Sequence, residues 1–253
     1  MYKLSKMKDR QKDYVLKMKK HAVNFIESID TRKIESILLS GSVSRGDYCP
    51  GKKGGMIDLT VIKKKGAKIT AEELFGINED PFIPYHCIRW NGEWFEILFI
   101  DFSEIENFKE FNEPRKYAIL ESKILYDPNG KYQNELNKIN QFVKKELKDK
   151  LNKTKEYITY IIGKDARWER RKAYPNMHNN LNIAIQLGIN CLYYLNKKYA
   201  PAEDRKLYYT YELKKLPDDY EDLLEKLFSQ KINSKKDYER RRKLFVDEFM
   251  SIM

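Results

Sequence analysis

The chain predicts an α+β fold: a small mixed-sheet head with helices, followed by an all-helical C-terminal domain. Two observations carry this. Short apolar runs with strand-like alternation lie within the first 126 residues, whereas beyond residue 131 the apolar residues recur almost only at helical spacing. Between the two patterns stands Asp127-Pro128-Asn129-Gly130, a turn composition that ends an element or a domain. The expected division is therefore 1–128 and 129–253, in a chain long enough to bury a real core.

The elements follow in order. From Lys8 to Ile29, Val15, Met18, Ala22, Phe25, Ile26 and Ile29 fall on one side of a 3.6-residue repeat, which predicts a helix. Ile37-Leu38-Leu39 reads as a short buried strand. Met56 to Ile62 reads as a second, with Ile57, Leu59 and Val61 on one face and Met56, Asp58 and Thr60 on the other. Two further strand-like runs, Tyr85 to Trp90 and Glu93 to Ile100, flank Asn91-Gly92, a strong hairpin signal. Long helices are expected over Lys131 to Ile162 and Tyr174 to Tyr199. Shorter ones are expected over Tyr220 to Phe228 and Lys235 to Phe249.

Composition narrows the class. Hydrophobic residues make up 42% of the chain and aromatic ones 13%, which favours a folded protein over disorder. No run approaches the ~20 apolar residues of a membrane span. Met1 to Lys8 has no apolar stretch of the signal-peptide kind. Cys49, Cys87 and Cys191 have neither metal-ligand nor disulfide-framework spacing. The expectation is a cytoplasmic protein in a reducing compartment, with no membrane partner. The net charge of +11 draws phosphates, and it suits a nucleoside triphosphate better than a polycationic substrate. Lysine is spread along nearly every segment, so charge alone does not define a nucleic-acid site.

The most informative stretch runs from Ile37 to Val61. An apolar strand ends at Gly41-Ser42, the turn carries Arg45 and Asp47, and a second apolar strand bears Asp58 at its centre. Gly41 permits close backbone approach to a phosphate, Ser42 adds a hydroxyl and its own N–H, and Arg45 can pair with a phosphate oxygen. This order resembles the nucleotide-binding heart of the DNA polymerase β-like nucleotidyltransferase superfamily. The nearest likeness is to the small-molecule, antibiotic-modifying type with a C-terminal helical domain. In that superfamily Gly-Ser cradles a triphosphate and an Asp-x-Asp on the next strand holds magnesium. The resemblance implies Asp58 as a metal ligand, and Glu96 in Glu96-Ile-Leu-Phe-Ile-Asp101 as the carboxylate supplied by a later strand. The segments Ile124 to Tyr132 and Leu192 to Pro201 also resemble the tail of this group. There a basic residue after the proline reaches the triphosphate, and Arg205 and Lys206 are both candidates.

Met56 departs from the pattern, standing where the first Asp of Asp-x-Asp would be. A thioether is a soft donor, whereas magnesium takes oxygen. Three accounts stay open. Asp47 swings in as a further ligand; a single magnesium is held by Asp58, Glu96 and the triphosphate; or the site binds nucleotide without turning it over. The loop Pro50 to Gly55, with Lys52 and Lys53, either covers phosphates or is simply solvated. In the helical half His178, Asn179 and Asn182 are expected on a wet or cleft-lining side of one helix, with His178 a candidate general base. Arg167-Trp168-Glu169-Arg170-Arg171-Lys172 reads as a receiver of phosphates and bases or as a solvated stretch. Arg240 to Arg242 reads as a solvated helix face.

The resemblance implies an enzyme that transfers a nucleotidyl group, AMP in the first instance, from a nucleoside triphosphate to a hydroxyl of a small molecule or protein, with Mg²⁺. A catalytically silent nucleotide-binding sensor or interaction module is the alternative, and a nucleic-acid-binding protein is the third reading.

Overall fold

The computed structural model describes residues 4–49 and 55–253, with side chains from residue 8 onward. The loop reading for residues 50 to 54, Lys52 and Lys53 included, lies outside the described residues. The chain forms two compact units, residues 1–140 and 141–253. The turn at Asp127 to Gly130 opens a 33-residue helix, and the division falls within that helix rather than at the turn.

In the first unit, helix α1 (Leu4–Ser28) leads to strand β1 (Ile34–Leu39) and a one-turn helix α2 (Gly41–Arg45). Strand β2 (Met56–Lys63) follows, then α3 (Ala71–Phe75) and the hairpin of β3 (His86–Trp90) with β4 (Glu93–Asp101). The unit continues through α4 (Phe102–Glu106), α5 (Glu113–Glu121) and β5 (Lys123–Tyr126) into the start of α6 (Lys131–Gly163). The expected hairpin is present. Asn91 and Gly92 both have positive φ, at 48° and 83°, as a type I′ turn requires.

The strands form one sheet in the order β3-β4-β2-β1-β5. The β2–β4 pair is parallel, and β1–β2, β1–β5 and β3–β4 are antiparallel. Strand β2 is therefore central, with both edges of its backbone paired. Ile57, Leu59 and Val61 point to one face, where they join Ile37, Leu39, Phe95 and Ile97 in a cluster closed by Val15, Met18, Ala22 and Phe25 of α1. The period-2 and period-3.6 patterns read from the sequence meet here. Burying these side chains contributes about 1.5–3 kcal/mol each. Strand β1 begins three residues before the apolar run. Ile34 and Ser36 are fully buried there, and Glu35 ion-pairs with Lys131 at 3.0 Å.

The second unit comprises the rest of α6, then α7 (Asp165–Arg170), α8 (Tyr174–Leu195), α9 (Lys206–Thr210), α10 (Tyr220–Phe228) and α11 (Lys235–Leu244), with a π turn over Phe245–Phe249. Helix α8 is its spine. A Cβ on Gly188 would lie 2.9 Å from atoms of both Phe245 and Phe249, so glycine at this point lets two fully buried rings pack against the helix. Among the described residues no helix is long and apolar enough to cross a membrane.

Candidate functional site

The two carboxylates singled out in the sequence lie on the face of the sheet opposite α1. In the parallel register Asp58 lies directly beside Glu96, and Met56 beside Trp94. Neighbouring strands are about 4.8 Å apart, so the two carboxylates stand shoulder to shoulder on one face. Both are partly exposed, while the alternating Ile57, Leu59, Phe95 and Ile97 are buried at 0–1%. Core packing of those four residues thus holds the two acids toward the opposite side. An Asp at the solvent edge of a strand is excluded by the central position of β2.

The turn after β1 converges on the same point. The Ser40 N–H donates to the Asp58 carbonyl at 2.9 Å, continuing the ladder into the turn. Gly41 then adopts φ +62°, and a Cβ built on it would fall 1.7 Å from Asp58 Oδ2. Only glycine fits there, for two reasons: the left-handed backbone and the carboxylate already occupying the space. Beneath the acids, Ser40 Oγ shares hydrogen bonds with Thr60 Oγ1 at 3.0 Å and Ser122 Oγ at 2.8 Å. Ser42 opens α2, and its carbonyl accepts from the N–H groups of Gly46 and Asp47 at 2.9 and 3.0 Å. Gly41 is therefore packed against Asp58, and Asp58 stands beside Glu96, with Ser42 next in the turn.

Arg45 and Asp47 have another arrangement. They form an ion pair at 3.6 Å with their side chains 9% and 3% exposed. Asp47 is buried in the turn and paired with Arg45. Among the described residues no group of three or more His, Cys, Asp and Glu side chains could hold a metal ion. The account in which Asp47 completes a set of metal ligands is corrected on this geometry. Two adjacent carboxylates do fit one magnesium, an ion that commonly takes one or two carboxylates and completes its shell with water and substrate phosphates. Met56, on the same face one step along β2 and 43% exposed, offers no oxygen for a second.

Sequence reasoning missed the row that flanks the acids. Arg89 pairs with Trp94 across the hairpin, and its guanidinium lies 4.6 Å from the centroid of the Trp94 ring. Arg89, Trp94 and Met56 thus form a lateral strip next to Cys87, Glu96 and Asp58. The alternation of each strand was legible, but the strip depends on the register between strands, which no local pattern specifies. Burial and the neighbouring Glu96 carboxylate push the Cys87 thiol pKa upward, so this cysteine is a poor nucleophile.

The remaining candidates belong to the helical unit. His178 is fully buried. Its Nδ1 faces Arg241 Nη1 at 2.8 Å and its Nε2 faces the Ser234 carbonyl at 3.1 Å. An arginine can only donate, so Nδ1 accepts and the ring proton sits on Nε2. With both nitrogens engaged in a dry core, His178 cannot serve as a base for an acceptor hydroxyl, and the wet-face reading is corrected. Asn179 points outward instead. Arg241 is also corrected: it is fully buried, donating to Leu227 O, Gln230 Oε1 and Asn182 Oδ1 as well as to His178. Lys206 is 3% exposed, with its ammonium 2.7 Å from Glu203, and its carbonyl accepts from Tyr193 Oη at 2.6 Å. Arg205 is exposed and ion-pairs with Asp204 at 3.4 Å.

No family model matches the sequence, and no curated protein matches it. Among solved structures the chain is similar to a nucleotidyltransferase-like protein from Exiguobacterium sibiricum 255-15. The two are 12% identical, with a TM-score of 0.33 over 87% of this chain and 69% of the other. So distant a likeness leaves the functional reading to rest on the geometry of the head.

Proposed function

We propose that the head binds a nucleoside triphosphate with one Mg²⁺ and transfers its nucleotidyl group, AMP in the first instance, to a hydroxyl of a small molecule or protein. One observation carries this: the Asp58 carboxylate lies against the bare Cα of Gly41 while Glu96 stands beside it in parallel register. A phosphate-binding turn and two hard oxygen donors thus share one spot, on strands whose opposite faces are locked into the core.

In this reading Asp58 and Glu96 would hold the ion. Gly41 and Ser42 present backbone and hydroxyl to the polyphosphate. Bound there, magnesium would offset charge developing on the phosphoryl and leaving oxygens. The Arg45–Asp47 pair stiffens the turn from within. The strip of Trp94 and Arg89 offers a planar surface next to the reacting centre, where an aromatic base or acceptor can stack.

Met56 favours a second reading, in which the same turn and carboxylates bind nucleotide without turning it over. Melting temperature with each of the four nucleoside triphosphates, with and without magnesium, separates the two when combined with pyrophosphate release. A magnesium-dependent rise with one triphosphate and release of pyrophosphate supports transfer. A rise without release supports the sensor. No rise with any triphosphate overturns both.

A further inference from the structure

The basic, aromatic surface formed by the end of α6 and by α7 is not used by the nucleotidyl-transfer reading. On α6, Tyr157 and Tyr160 are 53% and 58% exposed, with their rings stacked at 24° and centroids 6.2 Å apart. Lys164 Nζ lies 3.6 Å from the centroid of the Tyr160 ring, and Lys164 and Arg167 both lower the Tyr160 hydroxyl pKa. Just past α7, Arg171 lies 5.8 Å from the Trp168 ring and donates to the Arg167 carbonyl at 2.8 Å.

The charge here is one-sided. Residues 164 to 172 carry the cations Lys164, Arg167, Arg170, Arg171 and Lys172 against two acids, Asp165 and Glu169. Neither acid offsets the surface. Asp165 is 6% exposed and turned inward, accepting from Tyr238 Oη and from Asn180 Nδ2, and Glu169 is taken by Lys235 at 2.5 Å. Packing so many like charges into two turns costs repulsion that a polyanion would relieve. The aliphatic residues of the same stretch, Ile158, Ile161 and Ile162, are 3–8% exposed. What the surface offers beyond charge is therefore aromatic ring faces, which suit unstacked bases, rather than the aliphatic face a membrane-inserting helix shows.

We propose that this surface binds single-stranded nucleic acid, with Lys164, Arg167 and Arg171 on the phosphates and Tyr157, Tyr160 and Trp168 under the bases. The proposal rests on residues of the second unit alone, and it stands whether or not the head transfers nucleotides.

The test is fluorescence anisotropy on the full chain with a labelled single-stranded RNA of about 20 nucleotides, long enough for the ~4–16 nucleotides that single-strand sites cover. A duplex of equal length and vesicles containing anionic lipid are run alongside. The expected result is binding of the single strand that falls steeply with salt and exceeds duplex binding. Tyr157→Ala with Tyr160→Ala should weaken single-strand binding about ten-fold or more at fixed salt, with an unchanged melting temperature and unchanged pyrophosphate release. Arg167→Ala with Arg171→Ala should flatten the salt dependence. The proposal fails if the RNA does not bind, if the tyrosine pair can be removed without loss of affinity, or if only vesicles bind.

Discussion

The two units treat polar side chains in opposite ways. On the head, Asp58 and Glu96 are partly exposed on the sheet face opposite the apolar cluster. In the helical unit a set of polar groups is sealed inside an otherwise apolar interior. Arg241 is fully buried and satisfied by a histidine ring, two amide oxygens and a carbonyl, with no carboxylate bound to it directly. A buried cation in neutral company is stable only while every acceptor is in place. The difference teaches that partly exposed polar residues on a rigid support can be replaced at little cost to the fold, whereas buried ones are committed to it. Substitution should therefore separate activity from stability along the line between the units.

The largest expected effect lies in the head. Asp58→Asn and Glu96→Gln should each lower pyrophosphate release by about 10³-fold or more while leaving the melting temperature nearly unchanged. An unchanged rate in either would remove that acid from the site. The matching change in the helical unit, Arg241→Ala, should cost about 3–5 kcal/mol in urea unfolding by leaving a cavity and taking the arginine donor from Leu227 O, His178 Nδ1 and Asn182 Oδ1. A loss below about 1 kcal/mol, the scale of a single hydrogen bond, would show the network to be slack.

Gly41→Ala should combine both outcomes, because the added methyl collides with the Asp58 carboxylate and the backbone is left-handed. Triphosphate-induced stabilisation should vanish, and the free protein should lose about 1–3 kcal/mol. Met56→Asp sharpens the same comparison from the other side. A third carboxylate next to Asp58 should raise magnesium affinity or the rate of pyrophosphate release, and no change in either would count against Met56 as the limiting residue.

The smallest effects are in pH. Hydrogen bonds from Ser103 hold the Asp101 carboxyl below the usual carboxylate range, helped by Gly66 and Lys63. Its contribution is present above pH 3.8 and is lost as the pH falls through the lowered folded value. In the helical unit, burial raises the pKa of Asp165. The sign reverses. Its contribution is full below 3.8 and is lost as the pH rises through the elevated folded value. Urea melts from neutral to acid pH should show Asp101→Ala losing its deficit, of order 1 kcal/mol for a helix cap, at the acid end. Asp165→Asn should instead flatten a rise in stability toward acid. Equal slopes in the two variants would contradict these assignments.

The sequence by itself determined a good deal. Alternation in β2 placed Asp58 away from the core, the family resemblance pointed to Glu96, helical spacing predicted α1 and its buried face, and Asn91-Gly92 specified the hairpin. Each is a local pattern read within one element. Some elements left no comparable signal. β5 spans four residues, and α5 has scarcely any apolar stripe, so neither was expected. Tertiary structure decided which polar residues are spent. Asp47 is turned in to Arg45, and His178 and Arg241 are sealed together although 63 positions apart in the chain. Register between parallel strands likewise decided that Asp58 faces Glu96 and that Trp94 lies beside Met56. The physical reason is common to these cases: a polar group's role depends on whether water or a partner satisfies it, and those partners arrive from distant segments only when the chain has folded.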